Sequence, residues 1–121
     1  MTDKKSNVII VPHTHWDREW YLPFQDFRFK LVHLIDTLFE ILDEKDYRFM
    51  LDGQTIVLED YLEIKPEKKQ KLVDLIKSGK IAAGPWYLLP DEWLVGGESL
   101  IRNLEYSHIL AQKLGIPLMP V

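Results

Sequence analysis

The sequence has no cysteine, which removes disulfides, thiolate metal sites and a cysteine nucleophile together. It has no surplus of positive charge: 15 Lys and Arg stand against 19 Asp and Glu, so there is no electrostatic footprint for nucleic acid. No stretch approaches the roughly 20 apolar residues of a membrane-spanning helix. The early apolar run Val8–Val11 follows a polar start, Met1–Asn7, and is too short for a secretory signal. Internal repeats, low-complexity tracts and linkers are missing as well. What remains is 121 residues, 46% apolar and 28% charged, the composition of a folded domain rather than a disordered chain. The expectation is a cytoplasmic, soluble protein with neither a nucleic-acid nor a membrane partner.

The densest chemistry lies in Val8-Ile9-Ile10-Val11-Pro12-His13-Thr14-His15-Trp16-Asp17-Arg18-Glu19-Trp20-Tyr21. An apolar run of four bounded by a proline reads as a buried strand. Side chains alternate along a strand, so His13, His15 and Asp17 share a face while the chain stays extended. Imidazole nitrogen beside carboxylate oxygen is ligand chemistry for zinc and similar divalent ions. In parallel α/β sheets and barrels, ligands bind at the carboxyl ends of strands, where this cluster falls. A His-x-Asp triplet alone equally describes a strand-end histidine and a turn aspartate, and zinc needs three or four protein ligands.

Phe27, Leu31, Leu34, Ile35, Leu38, Phe39 and Leu42 follow helical spacing, an apolar stripe suited to packing on a sheet. Tyr47–Leu51 reads as a second strand ending in the turn Asp52-Gly53. A helix over about Thr55–Ile64 buries Leu58, Tyr61 and Leu62. Pro66 and Glu67 open another helix, with Leu72, Leu75 and Ile76 inward and Gly79 as its C-terminal cap. Lys80–Pro85 reads as a short third strand. A last helix from Glu98 or Ser99 carries Leu100, Leu104, His108, Ala111 and Leu114 on one face and ends at Gly115. Strands alternating with helices give βαβ units and a parallel sheet. Three strands leave its edges and faces open. The expectation is the first part of a larger domain, whose apolar faces a homo-oligomer or another chain would cover.

Of the tryptophans, Trp20 and, less firmly, Trp86 follow strand ends, where a ring face can lie against a sugar; Trp93 is assigned to core packing. Asp91-Glu92 reads as loop structure, or as support behind the site residues, because adjacent carboxylates do not bracket a scissile bond. Gly96-Gly97 reads as a hinge or tight turn, and His33 and His108 as ordinary helix histidines.

Pro12–Tyr21 resembles the opening motif of glycoside hydrolase family 38, the zinc-dependent α-mannosidases, and in particular the bacterial branch that includes mannosylglycerate hydrolases. The likeness continues through Leu51-Asp52-Gly53-Gln54-Thr55, Leu58-Glu59-Asp60-Tyr61, Gly79-Lys80, Gly84-Pro85-Trp86-Tyr87, Glu98-Ser99 and Arg102-Asn103. The resemblance implies that residues 1–121 are the N-terminal part of a catalytic α/β barrel of seven parallel strands. It implies that His15 and Asp17 are two zinc ligands, that His13 is a neighbour and not a ligand, and that Trp20 lies against the bound mannose. It further implies that the zinc meets the sugar's 2- and 3-hydroxyls, and that the nucleophile, the acid/base carboxylate and two more zinc ligands lie beyond Val121. The reaction expected of the complete enzyme is retaining hydrolysis of an α-mannoside. Two rivals stand beside it: a metal-dependent amidohydrolase barrel using His13 and His15, and a non-catalytic metal-binding or assembly fragment.

Overall fold

The computed structural model describes residues 6–120; Met1–Lys5 and Val121, with which the polar start opens and the chain closes, lie outside the described residues. Its elements are α1 (Phe24–Glu44), β1 (Phe49–Leu51), α2 (Ile56–Ile64), α3 (Lys69–Lys77, entered through a 3-10 turn at Pro66–Lys68), β2 (Ile81–Ala83) and α4 (Gly97–Leu114). β1 and β2 pair in parallel, Phe49 opposite Ile81 and Leu51 opposite Ala83. The architecture is mixed α/β with two parallel strands joined by α2 and α3.

α1 buries Phe27, Leu31, Ile35, Leu38, Phe39 and Leu42, the stripe that its spacing requires. Of these, Leu31, Ile35, Leu38, Phe39 and Leu42 share one core with Leu51, Leu58, Tyr61, Leu72, Ile76, Ile81 and Ala83, so both strands and the first three helices close on a common interior. Burial raises the phenol of Tyr61 above its ordinary range, and its hydrogen bond to Asp36 (2.7 Å) adds to the shift. Gly79 (φ +72°) and Gly115 (φ +68°) take the left-handed conformation that ends a helix without a Cβ penalty. The N–H of Lys80 then reaches Leu75 O, and the N–H of Ile116 reaches Ala111 O, at 3.0 Å each.

Two expectations need correction. Val8–Val11 is not a buried strand: Val8, Ile9 and Ile10 are more than 80% exposed. An apolar run of this kind needs cover on both faces, and among the described residues nothing packs on it. Strand pairing begins only at Pro12–Thr14, where Met50 N–H donates to Pro12 O (3.0 Å) and Thr14 N–H to Met50 O (3.2 Å). α4 is rotated relative to its apolar stripe, burying Ser107, Leu110 and Ala111 while His108 is exposed. On the same helix Asn103 Oδ1 accepts the N–H groups of Tyr87 (2.7 Å) and Leu88 (3.0 Å), which ties α4 to that loop. Gly96 stands at the N-terminal boundary of α4 and Gly97 is its first residue.

Candidate functional site

The segment after the Met50 pairing stays extended, and burial alternates along it. Pro12, Thr14, Trp16 and Arg18 are half-buried, whereas His13, His15 and Asp17 are exposed. The shared face read from the sequence is therefore present, and it is the open face. His15 Nε2 lies 3.4 Å from Asp17 Oδ2, with side chains 75% and 46% exposed. Two bonds of about 2.0–2.1 Å to one tetrahedral ion place their donors about 3.3 Å apart. The pair thus fits half of a zinc shell in donor type and spacing. His13 is differently engaged, donating from Nδ1 to Thr14 O at 2.8 Å. Among the described residues no three His, Asp or Glu side chains cluster to hold an ion.

What fixes this segment comes from the far ends of β1 and β2. Asp52 has φ +47°, a conformation rare outside glycine, and Gly53 follows at +65°. The backbone therefore leaves the ladder one residue after Leu51. Trp86 N–H donates to Gly53 O (3.1 Å) and Thr55 N–H to Trp86 O (2.8 Å), which ties the turn to the segment after β2. Trp16 N–H donates to Asp52 Oδ2 at 2.6 Å, and Gln54 Nε2–H donates to Trp16 O at 2.7 Å.

Arg18 forms a two-pronged pair with Asp60 on α2, Nε to Oδ2 at 2.8 Å and Nη2 to Oδ1 at 3.1 Å. Its guanidinium lies 4.1 Å from the Phe24 ring centroid. The hydrogen bond to Asp60 is the main cause that raises the Arg18 pKa, against the lowering effect of burial. Arg28 donates to the Asp60 backbone oxygen and pairs with Glu63 at 2.8 Å. Asp60→Ala leaves the half-buried Arg18 charge with only the exposed Glu19 carboxylate at 3.1 Å, so a loss of at most about 3 kcal/mol is expected, the low end for a buried pair. Urea denaturation of the protein measures it; a change under about 0.5 kcal/mol, the range of an ordinary surface substitution, would mean that the pair holds nothing.

Asp17, Glu19, Trp20, Gln54, Leu88 and Leu89 line a cleft of about 380 Å³ beside the His15–Asp17 pair. Trp20 is 78% exposed, which leaves its ring available to a ligand. Trp86 is half-buried and outside this lining. Trp93, assigned from sequence to the core, is 95% exposed, which corrects that reading. Asp91 accepts the Trp93 N–H at 3.0 Å, a loop role as expected. Tyr87 donates to Glu59 at 2.7 Å, and its phenol is pushed up to about 12, by burial first and by that carboxylate second. Sequence reasoning singled out His15, Asp17 and Trp20 but not Gln54, Arg18 or Asp60. An arginine inside the motif with an acid on the α2 stripe was the available signal for that pair; for Gln54 it was only its place in the stretch Leu51–Thr55 that carries the resemblance.

An exposed nitrogen–oxygen donor pair and an exposed indole thus lie together beside one cleft, beyond the bridge to Met50. Residues 5–116 match the family described as "Glycosyl hydrolases family 38 N-terminal domain", and the chain belongs to that family. It is 46% identical over 105 residues to a "Putative mannosylglycerate hydrolase" of Halalkalibacterium halodurans, covering 85% of this chain and 12% of that protein. It is 27% identical over 110 residues to "Alpha-mannosidase 2" of Arabidopsis thaliana, covering 89% of this chain and 8% of that one. Among solved structures, an α-mannosidase from Enterococcus faecalis V583 superposes with TM-score 0.82 at 42% identity, over 89% of this chain and 12% of that one. A glycosyl hydrolase family 38 protein from Enterococcus faecalis gives 0.78 at 38%, over 90% and 13%. The chain thus spans about an eighth of the length of these bacterial relatives.

Proposed function

We propose that this chain is the N-terminal part of a seven-stranded α/β barrel of a zinc-dependent, retaining α-mannosidase. His15 and Asp17 supply two of the zinc ligands and Trp20 lines the sugar subsite. The observation that carries the reading is the 3.4 Å spacing of His15 Nε2 and Asp17 Oδ2 on an open face beside the Trp20 cleft. The names of the relatives support the substrate class. The exposed Val8–Ile10, Trp93 and Leu94 support a barrel, or a homo-oligomer, that covers them. A cytoplasmic setting suits a sequence without cysteine.

Zinc, when bound, supplies Lewis acidity and orientation toward sugar hydroxyls. His15 and Asp17 hold it on the open face of the segment. Trp20 offers its ring to the apolar face of the mannose, and the Leu88–Leu89 wall narrows the cleft and limits water. The carboxylate that attacks the anomeric carbon and the acid that protonates the leaving oxygen lie outside this chain. The amidohydrolase alternative, with His13 and His15 as ligands, is less well supported, because the family match is to glycosyl hydrolases and the paired donors are His15 and Asp17.

The test uses the full-length enzyme on an aryl α-mannoside and on mannosylglycerate. Trp20→Ala is expected to lower kcat/KM by roughly five- to a hundred-fold, from the 1–3 kcal/mol that aromatic stacking supplies elsewhere, with zinc content intact. A lower melting temperature at unchanged kinetics would instead make Trp20 a packing residue. No hydrolysis of either substrate by zinc-loaded wild type would end the mannosidase reading.

A further inference from the structure

We propose that Gln54, backed by Asp52, is a positioning residue that sets the geometry of the two candidate metal donors; the proposal rests on the assignment of His15 and Asp17 above. Trp16 sits between those donors. In a parallel ladder its N–H and C=O would pair with the backbone of the neighbouring strand. That strand is no longer there, because Asp52 and Gly53 turn away with positive φ. Two buried side chains replace the missing rung. Asp52 Oδ2 accepts the Trp16 N–H at 2.6 Å, and Gln54 Nε2 donates to Trp16 O at 2.7 Å. Gln54 Nε2 also donates to Asp52 Oδ2 at 2.9 Å, so both amide hydrogens are used.

Asp52 is 7% and Gln54 1% exposed, so these bonds are made away from competing water. Side chains flanking a fixed peptide leave it in fixed directions. Clamping Trp16 on both polar groups therefore orients His15 and Asp17 together toward the open face. Among the described residues before Trp16, two Met50 bonds join the segment's backbone to another strand, and after it the Arg18 side chain is held by Asp60. Gln54 reaches further, since its Oε1 accepts the Leu89 N–H at 3.3 Å. One amide thus ties the donor segment to the opposite wall of the cleft.

The experiment measures zinc affinity by chelator competition, and the visible spectrum of the cobalt-substituted form, in the full-length enzyme. Gln54→Leu keeps the bulk and removes the hydrogen bonds. Gln54→Glu keeps an acceptor for Leu89, removes the amide donors, and serves if the first variant does not fold. Thr55→Val is the control: it breaks a buried bond in the same turn, Thr55 Oγ1 to Ser107 Oγ at 3.3 Å, that touches neither donor. The expected result is zinc binding weakened by roughly ten- to a hundred-fold and an altered cobalt spectrum for either Gln54 variant. Thr55→Val should lose stability with affinity and spectrum unchanged. Wild-type affinity and spectrum in a folded Gln54 variant overturn the proposal, as does equal weakening by Thr55→Val. Full zinc binding by Asp17→Asn would instead overturn the metal assignment beneath it.

Discussion

Replacing Asp17 by Asn in the full-length enzyme is expected to empty the metal site and abolish turnover. The substitution exchanges a charged oxygen donor for a neutral amide of the same shape. Lewis-acid stabilisation worth several kcal/mol in the transition state corresponds to a loss of roughly a thousand-fold or more in rate. The fold should survive, because the Asp17 side chain is 46% exposed and, among the described residues, its ion-pair contact is with His15. His15→Ala is expected to act alike, losing the nitrogen that faces Asp17. His13→Ala should keep its zinc and lose less activity, since the paired donors are His15 and Asp17. Metal content by elemental analysis, read beside kcat/KM, separates these outcomes. The amidohydrolase alternative requires the reverse order, with His13 essential and Asp17 dispensable.

The second large effect is the inactivity of the 121-residue chain by itself. Retaining hydrolysis needs two carboxyl groups about 5 Å apart, one to attack and one to protonate the leaving group. The carboxylates near the cleft are otherwise engaged. Asp17 faces His15, Glu19 Oε1 holds Arg18 at 3.1 Å, Asp60 lies in the fork of Arg18, and Asp52 carries the Trp16 N–H. Asp91 and Glu92 are neighbours on an exposed loop, and Asp91 accepts the Trp93 N–H. Two zinc donors are also fewer than the three or four of a tight site, so the ion should exchange freely. An assay with an activated aryl α-mannoside and zinc is expected to give no turnover for the short chain, and turnover for a version extended through the remaining strands. Metal-dependent turnover by the short chain, lost in Asp17→Asn, would mean that the catalytic carboxylates are among these residues.

Periodicity and punctuation made most of the framework legible. The α1 stripe, the parallel β1–β2 pair and the caps at Gly79 and Gly115 follow from apolar spacing and from the φ freedom of glycine. The shared exposed face of His13, His15 and Asp17 follows from the two-residue period of an extended chain. What could not be read depended on partners distant in sequence. Apolar residues such as Val8–Val11 and Trp93 signal burial only where something covers them. The inward face of α4 includes Ser107 and Asn103, polar residues that a hydrophobic pattern discounts, because their partners come from the turns after β1 and β2. The clamp on Trp16 was invisible for a related reason. Asp52-Gly53 reads as a turn, and nothing local says that the turn's own side chains complete the ladder it abandons.

The central claim is most directly tested by anomalous diffraction from crystals of the full-length, zinc-loaded enzyme, recorded on both sides of the zinc absorption edge. The account predicts one strong peak about 2.0–2.2 Å from both His15 Nε2 and an Asp17 carboxylate oxygen, with His13 outside bonding distance. A peak shared by His13 and His15, or none beside Asp17, would contradict it.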